Sequence, residues 1–257
     1  LANDIKIVEF SATPNGTLYD SEKWKAHSSK VLIQSGEGYK GCIDLLEDGR
    51  IRECEPLSGP KIDDDVMKAT YEKIKVAIAS FSDNRYHIIR TPKGKVQDQV
   101  IGNFKKFIGF PYKKFDMTEG GQDINDILSS PPETHTFIFL KEKGRCAKTF
   151  TKKYIGVWYE RYAETMMDDV VTQGLLGRAT GYDDNGDSII FTHIESIKKY
   201  KDLWESGFEA DVKWQSGTTL SKKEGGISTG TFNRKVKNGG TLIIPEEHGM
   251  KWMGLPS

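Results

Sequence analysis

The stretch RYHIIRTPKGKVQDQVIGNFKKFIGFPYKKF, Arg85 to Phe115, decides the fold class. Its opening, RYHIIRTP, reads as a strand that Pro92 stops. In KVQDQVIGNFKKFIG the residues Val96, Val100, Phe104 and Phe107 return at helical spacing, so an amphipathic helix follows with those side chains facing inward. YKKFDMT, Tyr112 to Thr118, then predicts another strand. Strand, helix and strand in succession are the unit from which parallel sheets are built.

The alternation extends in both directions. Upstream, Asp63, Asp64 and Asp65 precede Val66, Met67, Tyr71, Ile74, Ile78 and Phe81 at helical spacing. Acidic residues suit a helix N-terminus, so a helix is predicted over 63–81. Downstream come DINDILSS, a short helix with Asp123 as its cap, then the strand THTFIFLKE, and then KKYIGVWYER. The helix-like DDVVTQGLLGRA, the strand-like DSIIFTHI and the helix SIKKYKDLWESG, closed by Gly207, complete the series. The expected class is α/β with a largely parallel sheet and helices on its faces. Ligands of such sheets bind at the carboxyl ends of the strands. The expected boundaries are a buried strand and loop over 1–14, a linker or adapter over 15–61, the α/β domain over 62–207 and a β-rich extension over 208–257.

With 37 acidic and 37 basic residues the formal net charge is zero, so any nucleic-acid surface has to be a local patch. The 3 cysteines, Cys42, Cys54 and Cys146, form no C-x-x-C pair, which argues against a disulfide framework and a zinc site and for a reducing compartment. No apolar run approaches the roughly 20 residues that span a bilayer. The expectation is a soluble, cytoplasmic protein with no membrane partner. Because the chain starts at Leu1, it is expected to be part of a longer protein.

Two short motifs carry a resemblance. SATP, Ser11 to Pro14, follows a buried-looking strand, and Q-x-x-x-G-R, Gln173 to Arg178, lies far downstream. The pair resembles motifs III and VI of superfamily 2 helicases and translocases, which hold ATP between two RecA-like lobes. GEGYKG at 36–41, GRCAKTFTKKYIGVWYE at 144–160 and DVVTQGLLGRATGY at 169–182 look like a branch of that superfamily common in phages, viruses and mobile elements. The likeness covers roughly residues 1–205. It implies a RecA-like, P-loop NTPase-type sheet: the end of the first lobe, a complete second lobe, and a β-rich C-terminal extension.

The resemblance also assigns roles. Arg178 becomes an arginine finger: charge spreads over the γ-phosphate oxygens during phosphoryl transfer, and a permanently charged planar guanidinium neutralises it. Leu175 and Leu176 anchor its helix, Gly177 admits close backbone approach, and Gln173 links the motif to the nucleotide or to motif III. Ser11 and Thr13 couple nucleotide to nucleic-acid movement through their hydroxyls, and Asp169 joins this nucleotide-binding and coupling group. Lys148 and Thr149 occupy the place of motif V, with Lys152 and Lys153 continuing the nucleic-acid track. ATP with Mg2+, held mainly by a first lobe upstream, is the implied cofactor. Nucleic acid, DNA in preference to RNA, is the implied partner.

Departures from the pattern matter too. Many members carry a second arginine where this chain has Gly181, so a two-arginine mechanism lacks its second residue. The phosphate-cradling G-x-x-x-x-G-K-[ST] loop is absent; GRCAKT would need glycines at Glu142 and Ala147. The acidic magnesium motif is missing as well, so the chain is not expected to hydrolyse ATP by itself. A catalytically silent RecA-like assembly module and the translocase part of a restriction or nuclease system remain alternatives. DDNGD, Asp183 to Asp187, lacks EF-hand spacing and reads as an Asn-Gly turn. FKKFIGFPYKKF interleaves lysines with aromatics, but strand and helix periodicity alone accounts for it. The 5 histidines show no metal-ligand spacing.

Overall fold

Along the computed structural model the elements run α1 (Cys42–Glu47), β1 (Ile51–Glu53), α2 (Asp64–Ala79), β2 (Tyr86–Thr91), α3 (Lys95–Phe107) and β3 (Tyr112–Phe115). They continue as α4 (Ile124–Leu128), β4 (Thr136–Lys141), β5 (Ile155–Tyr159), α5 (Asp168–Gln173), α6 (Leu176–Ala179), β6 (Ile189–Thr192) and α7 (Ile194–Glu205). The structure describes residues 31–59, 62–92, 94–115, 123–141, 149–208 and 212–215. Of these, Ile33–Gln215 belong to one compact unit. The strand predicted over 1–14 lies outside the described residues, as does the extension predicted over 208–257 apart from 208 and 212–215.

The strands form a 6-stranded sheet in the order β1-β6-β5-β2-β4-β3, and every pairing is parallel. Parallel strands covered by helices on both faces have no polar side to show, and β5 is accordingly buried at every position. Successive residues feed opposite cores. Ile88, Ile138, Trp158 and Ile190 face Leu45, Ile124, Val171, Leu175, Leu176 and Ile197 from α1 and α4–α7. Ile89, Phe139, Tyr159 and Phe191 face Tyr71, Ile74 and Phe104 from α2 and α3.

Local chemistry agrees with these placements. The Asp63 carboxylate accepts from the Asp65 amide and starts α2, while Asp123 does the same for Asn125 at α4. Gly207, with φ +63, closes α7. Some expectations need correction. The sheet begins at Ile51, inside the stretch read as a linker, because β1 has 3 residues and too little length to show a period. Val66 is 56% exposed, since Met67, Thr70, Tyr71, Ile74 and Ile78 define the buried stripe of α2 and Val66 lies beside it. The helix expected across DDVVTQGLLGRA is broken into α5 and α6.

A histidine pair sits at the start of β2. Gly156 is squeezed out of register between Tyr86 and His87, where a side chain would strike Phe81, Arg85 and His87. The Val157 amide then donates to His87 Nδ1 at 3.1 Å, and His87 Nε2 lies 3.1 Å from His135 Nδ1. With Nδ1 accepting, the proton sits on Nε2 and is donated to His135. Burial, then the neighbouring His135 and Arg85, hold the His87 pKa well below the ordinary 6.5. The unfolded chain therefore binds more protons than the folded one once pH falls below about 6.5, and stability is lost on that side. Thermal unfolding should show a melting temperature that falls between pH 6.5 and 5, with a shallower slope in His87→Gln; an identical slope in that variant would contradict this account.

Candidate functional site

The chain leaves β2 toward β3 on one side of the sheet and leaves β5 toward β6 on the other. The switch point therefore lies between the carboxyl ends of β2 and β5, where open α/β sheets bind ligands. A cleft opens there, lined by Leu57, Arg90, Pro92, Val96, Glu160 and Tyr162 among others.

Glu160, the first residue after β5, is 1% exposed. An ionised carboxylate at that depth is costly unless its oxygens are satisfied. Here Oε1 accepts from Arg90 Nη1 at 2.8 Å and from the Arg161 amide at 2.8 Å, and Oε2 accepts from the Leu175 amide at 2.8 Å. One side chain thus ties the ends of two neighbouring strands to the start of α6. It also explains the helix break. A Cβ on Gly174 would stand 2.2 Å from the Val170 carbonyl, 2.7 Å from Glu160 Oε2 and 2.8 Å from Arg90 Nη1, so glycine alone fits.

From this anchor the rest of the motif follows. Leu175 and Leu176, 2% and 0% exposed, sink into the core. Gly177 backs onto the end of α5, where a Cβ would lie 3.0 Å from the Thr172 carbonyl. Gln173 and Gly177 stay exposed and Arg178 is half-buried. The Arg178 guanidinium donates through Nη1 to the carbonyls of Gly174 and, at 3.3 Å, Gln173. The break therefore brings Gln173 and Arg178 together at the carboxyl end of α5, a natural seat for a cation.

Asp169 stands at the opposite end of α5, where it accepts from the Trp214 indole at 2.7 Å. Its neighbour Asp168, 1% exposed, accepts from the Ser196 hydroxyl, from Lys199 at 3.2 Å and from the Gln215 amide at 2.7 Å. These contacts fasten α5 to α7 and to residues 212–215. Thr149 is exposed, and its carbonyl accepts from Asn125. Lys153 is exposed, with its ammonium 5.1 Å above the Tyr154 ring. Lys152 differs from its expected place on an exposed track: its side chain is 5% exposed and pairs with Asp183. Ser11, Thr13 and Lys148 lie outside the described residues. GEGYKG is brought against GRATGY through Lys40 and Gly181.

Glu160, Arg90 and Gly174 went unread in the sequence as site residues. The available signal was a charge ending the apolar run VWYE and a glycine inside a helical period. The DDNGD stretch is a turn, as its Asn-Gly pair indicates, with Gly186 at φ +83 and the Asn185 amide donating to the carbonyls of Lys152 and Ile155. Among the described residues no group of three or more His, Cys, Asp and Glu is placed to hold a metal ion. Burial pushes the Cys42 and Cys54 thiols up to about 12, so neither is a ready nucleophile at neutral pH.

Gly174→Ala is expected to lower stability by about 2 kcal/mol or more, against the gain that alanine brings in an ordinary helix. Urea unfolding measures it, and a neutral or stabilising result would mean the Glu160 contacts do not fix this backbone.

No family model matches the chain. It is similar to a protein described as uncharacterized from Acanthamoeba polyphaga mimivirus, 28% identical over 183 residues, which cover 68% of this chain and 43% of that protein. The chain thus spans less than half the length of the viral relative it matches. No described helix is long and apolar enough to cross a membrane.

Proposed function

We propose that this chain supplies the second RecA-like lobe of a superfamily 2 nucleic-acid-dependent ATPase, a helicase or translocase of viral or phage type, with Arg178 as its arginine finger. A fold alone does not carry a function, so the reading rests on the site. The observation that carries it is the Glu160 anchor, which breaks the helix at Gly174 and gathers Gln173 and Arg178 at one exposed end of α5. A parallel sheet covered on both faces supports it, and the viral relative supports the origin.

To a nucleotide polyphosphate, the described residues offer the permanent charge and planar fork of Arg178, whose guanidinium lies against the Gln173 carbonyl. ATP and its Mg2+ belong mainly to a first lobe, which supplies the phosphate-cradling loop and the metal's acidic partner. Nucleic acid, DNA in preference to RNA, is the partner. In a second lobe the anchored backbone would hold the base of the Arg178 side chain, and the guanidinium would bring its positive charge to the negative charge that develops on the transferring phosphoryl group.

A second reading has its own observation. Arg178 rests folded onto the carbonyls of Gly174 and Gln173, a position that also suits a silent lobe in which the arginine simply caps α5.

Arg178→Ala in the intact protein separates the two. The motor reading predicts that nucleic-acid-stimulated ATP turnover falls by about a thousandfold or more while ATP affinity is kept. Unchanged turnover would sink it and leave the capping role.

A further inference from the structure

Helix α6 is held from two sides, and the Glu160 anchor accounts for only one of them. Residues 33–38 are exposed, yet the segment they begin is fastened to the loop just after Arg178. Lys40 and Gly181 exchange backbone hydrogen bonds, at 3.0 Å from the Lys40 amide and 2.9 Å from the Gly181 amide. The Gly36 amide donates to the Tyr182 hydroxyl at 3.1 Å, and the Tyr39 hydroxyl donates to Thr180 Oγ1 at 3.3 Å. The Tyr39 and Tyr182 rings meet edge to face, with centroids 5.2 Å apart.

The contact reaches α6 directly. Thr180 donates its amide to Leu176 O at 3.2 Å and its hydroxyl to Gly177 O at 3.0 Å, so the residue that Tyr39 holds also closes the helix bearing Arg178. A Cβ on Gly36 would lie 2.9 Å from the Tyr182 hydroxyl, so that exposed ring would have to move, and Gly181 sits at φ +141, a region that favours glycine. Beneath it, a Cβ on Gly181 would meet Asp183 Oδ1 and Lys152 Nζ at 3.0 Å, so the Lys152–Asp183 pair is the floor of the loop.

We infer that Gly36–Lys40 forms a latch that sets where Arg178 stands, with Tyr39 and Tyr182 as positioning residues. Glu160 fixes the start of α6 and the latch fixes its end. The segment leads into α1 and β1, so a pull on it, or a partner that displaces it, would act on α6 from the end opposite the Glu160 anchor. The consequence for ATP turnover rests on the function proposed above; the mechanical statement does not.

Gly36→Ala and Tyr182→Ala test it, the former altering only an exposed segment. Amide hydrogen exchange on this chain should quicken by about tenfold at Lys40 and Gly181 and also at Arg178–Thr180, with β2 and β5 unchanged. Faster exchange at Lys40 and Gly181 with Arg178–Thr180 unaffected would overturn the latch. In the intact protein, Gly36→Ala should lower the kcat for ATP with its KM unchanged, and an unaltered kcat alongside the quickened exchange would overturn the positioning role. Should Arg178→Ala leave turnover intact, the motor reading falls while the exchange result still decides the latch.

Discussion

Everything at the carboxyl edge of the sheet depends on where the Glu160 carboxylate can be satisfied. It is buried at the switch point, so it has to find donors within the fold, and it finds them on Arg90, Arg161 and Leu175. Meeting that need costs the helix after β5 its continuity. A buried charge whose removal would strand Arg90 is a poor source of net stability and a good source of specificity. Here it specifies the position of one loop.

The sheet makes such an anchor possible. Because β5 and β2 are neighbours although β3 and β4 lie between them in sequence, residues 70 apart in the chain meet at adjacent strand ends. The two cores on either face hold those ends rigid, with Trp158 directed to one and Tyr159 to the other. Farther along, α5 is fastened at its first turn by the Asp168 and Asp169 contacts with α7 and residues 212–215. Helix α5 is thus held at its first turn by Asp168 and Asp169 and just past its last turn by the Glu160 anchor.

Much of this was legible in the sequence, for a stated reason in each case. β4 and β5 read as apolar runs, β2 as a strand that Pro92 stops, and α2 announces itself through Asp63. β1 was illegible because a 3-residue strand carries no period. The break at Gly174 was hidden because its cause is a carboxylate on another element, and local propensity favours one continuous helix. Lys152 misled for the same kind of reason: an isolated lysine reads as solvent-facing, and nothing nearby in sequence names Asp183 as its partner. Arg178 was singled out by its resemblance to a motif, and its seat on the Gln173 and Gly174 carbonyls follows only from the fold.

If, as proposed, Arg178 reaches a phosphoryl group in transit, the protein should bind a transition-state mimic more tightly through that side chain. In the intact protein, the affinity for ADP with aluminium fluoride is compared with that for ADP alone, in wild type and in Arg178→Ala. The account predicts that wild type prefers the mimic by about a hundredfold or more and that the variant binds both alike. A variant that keeps the full preference would contradict it.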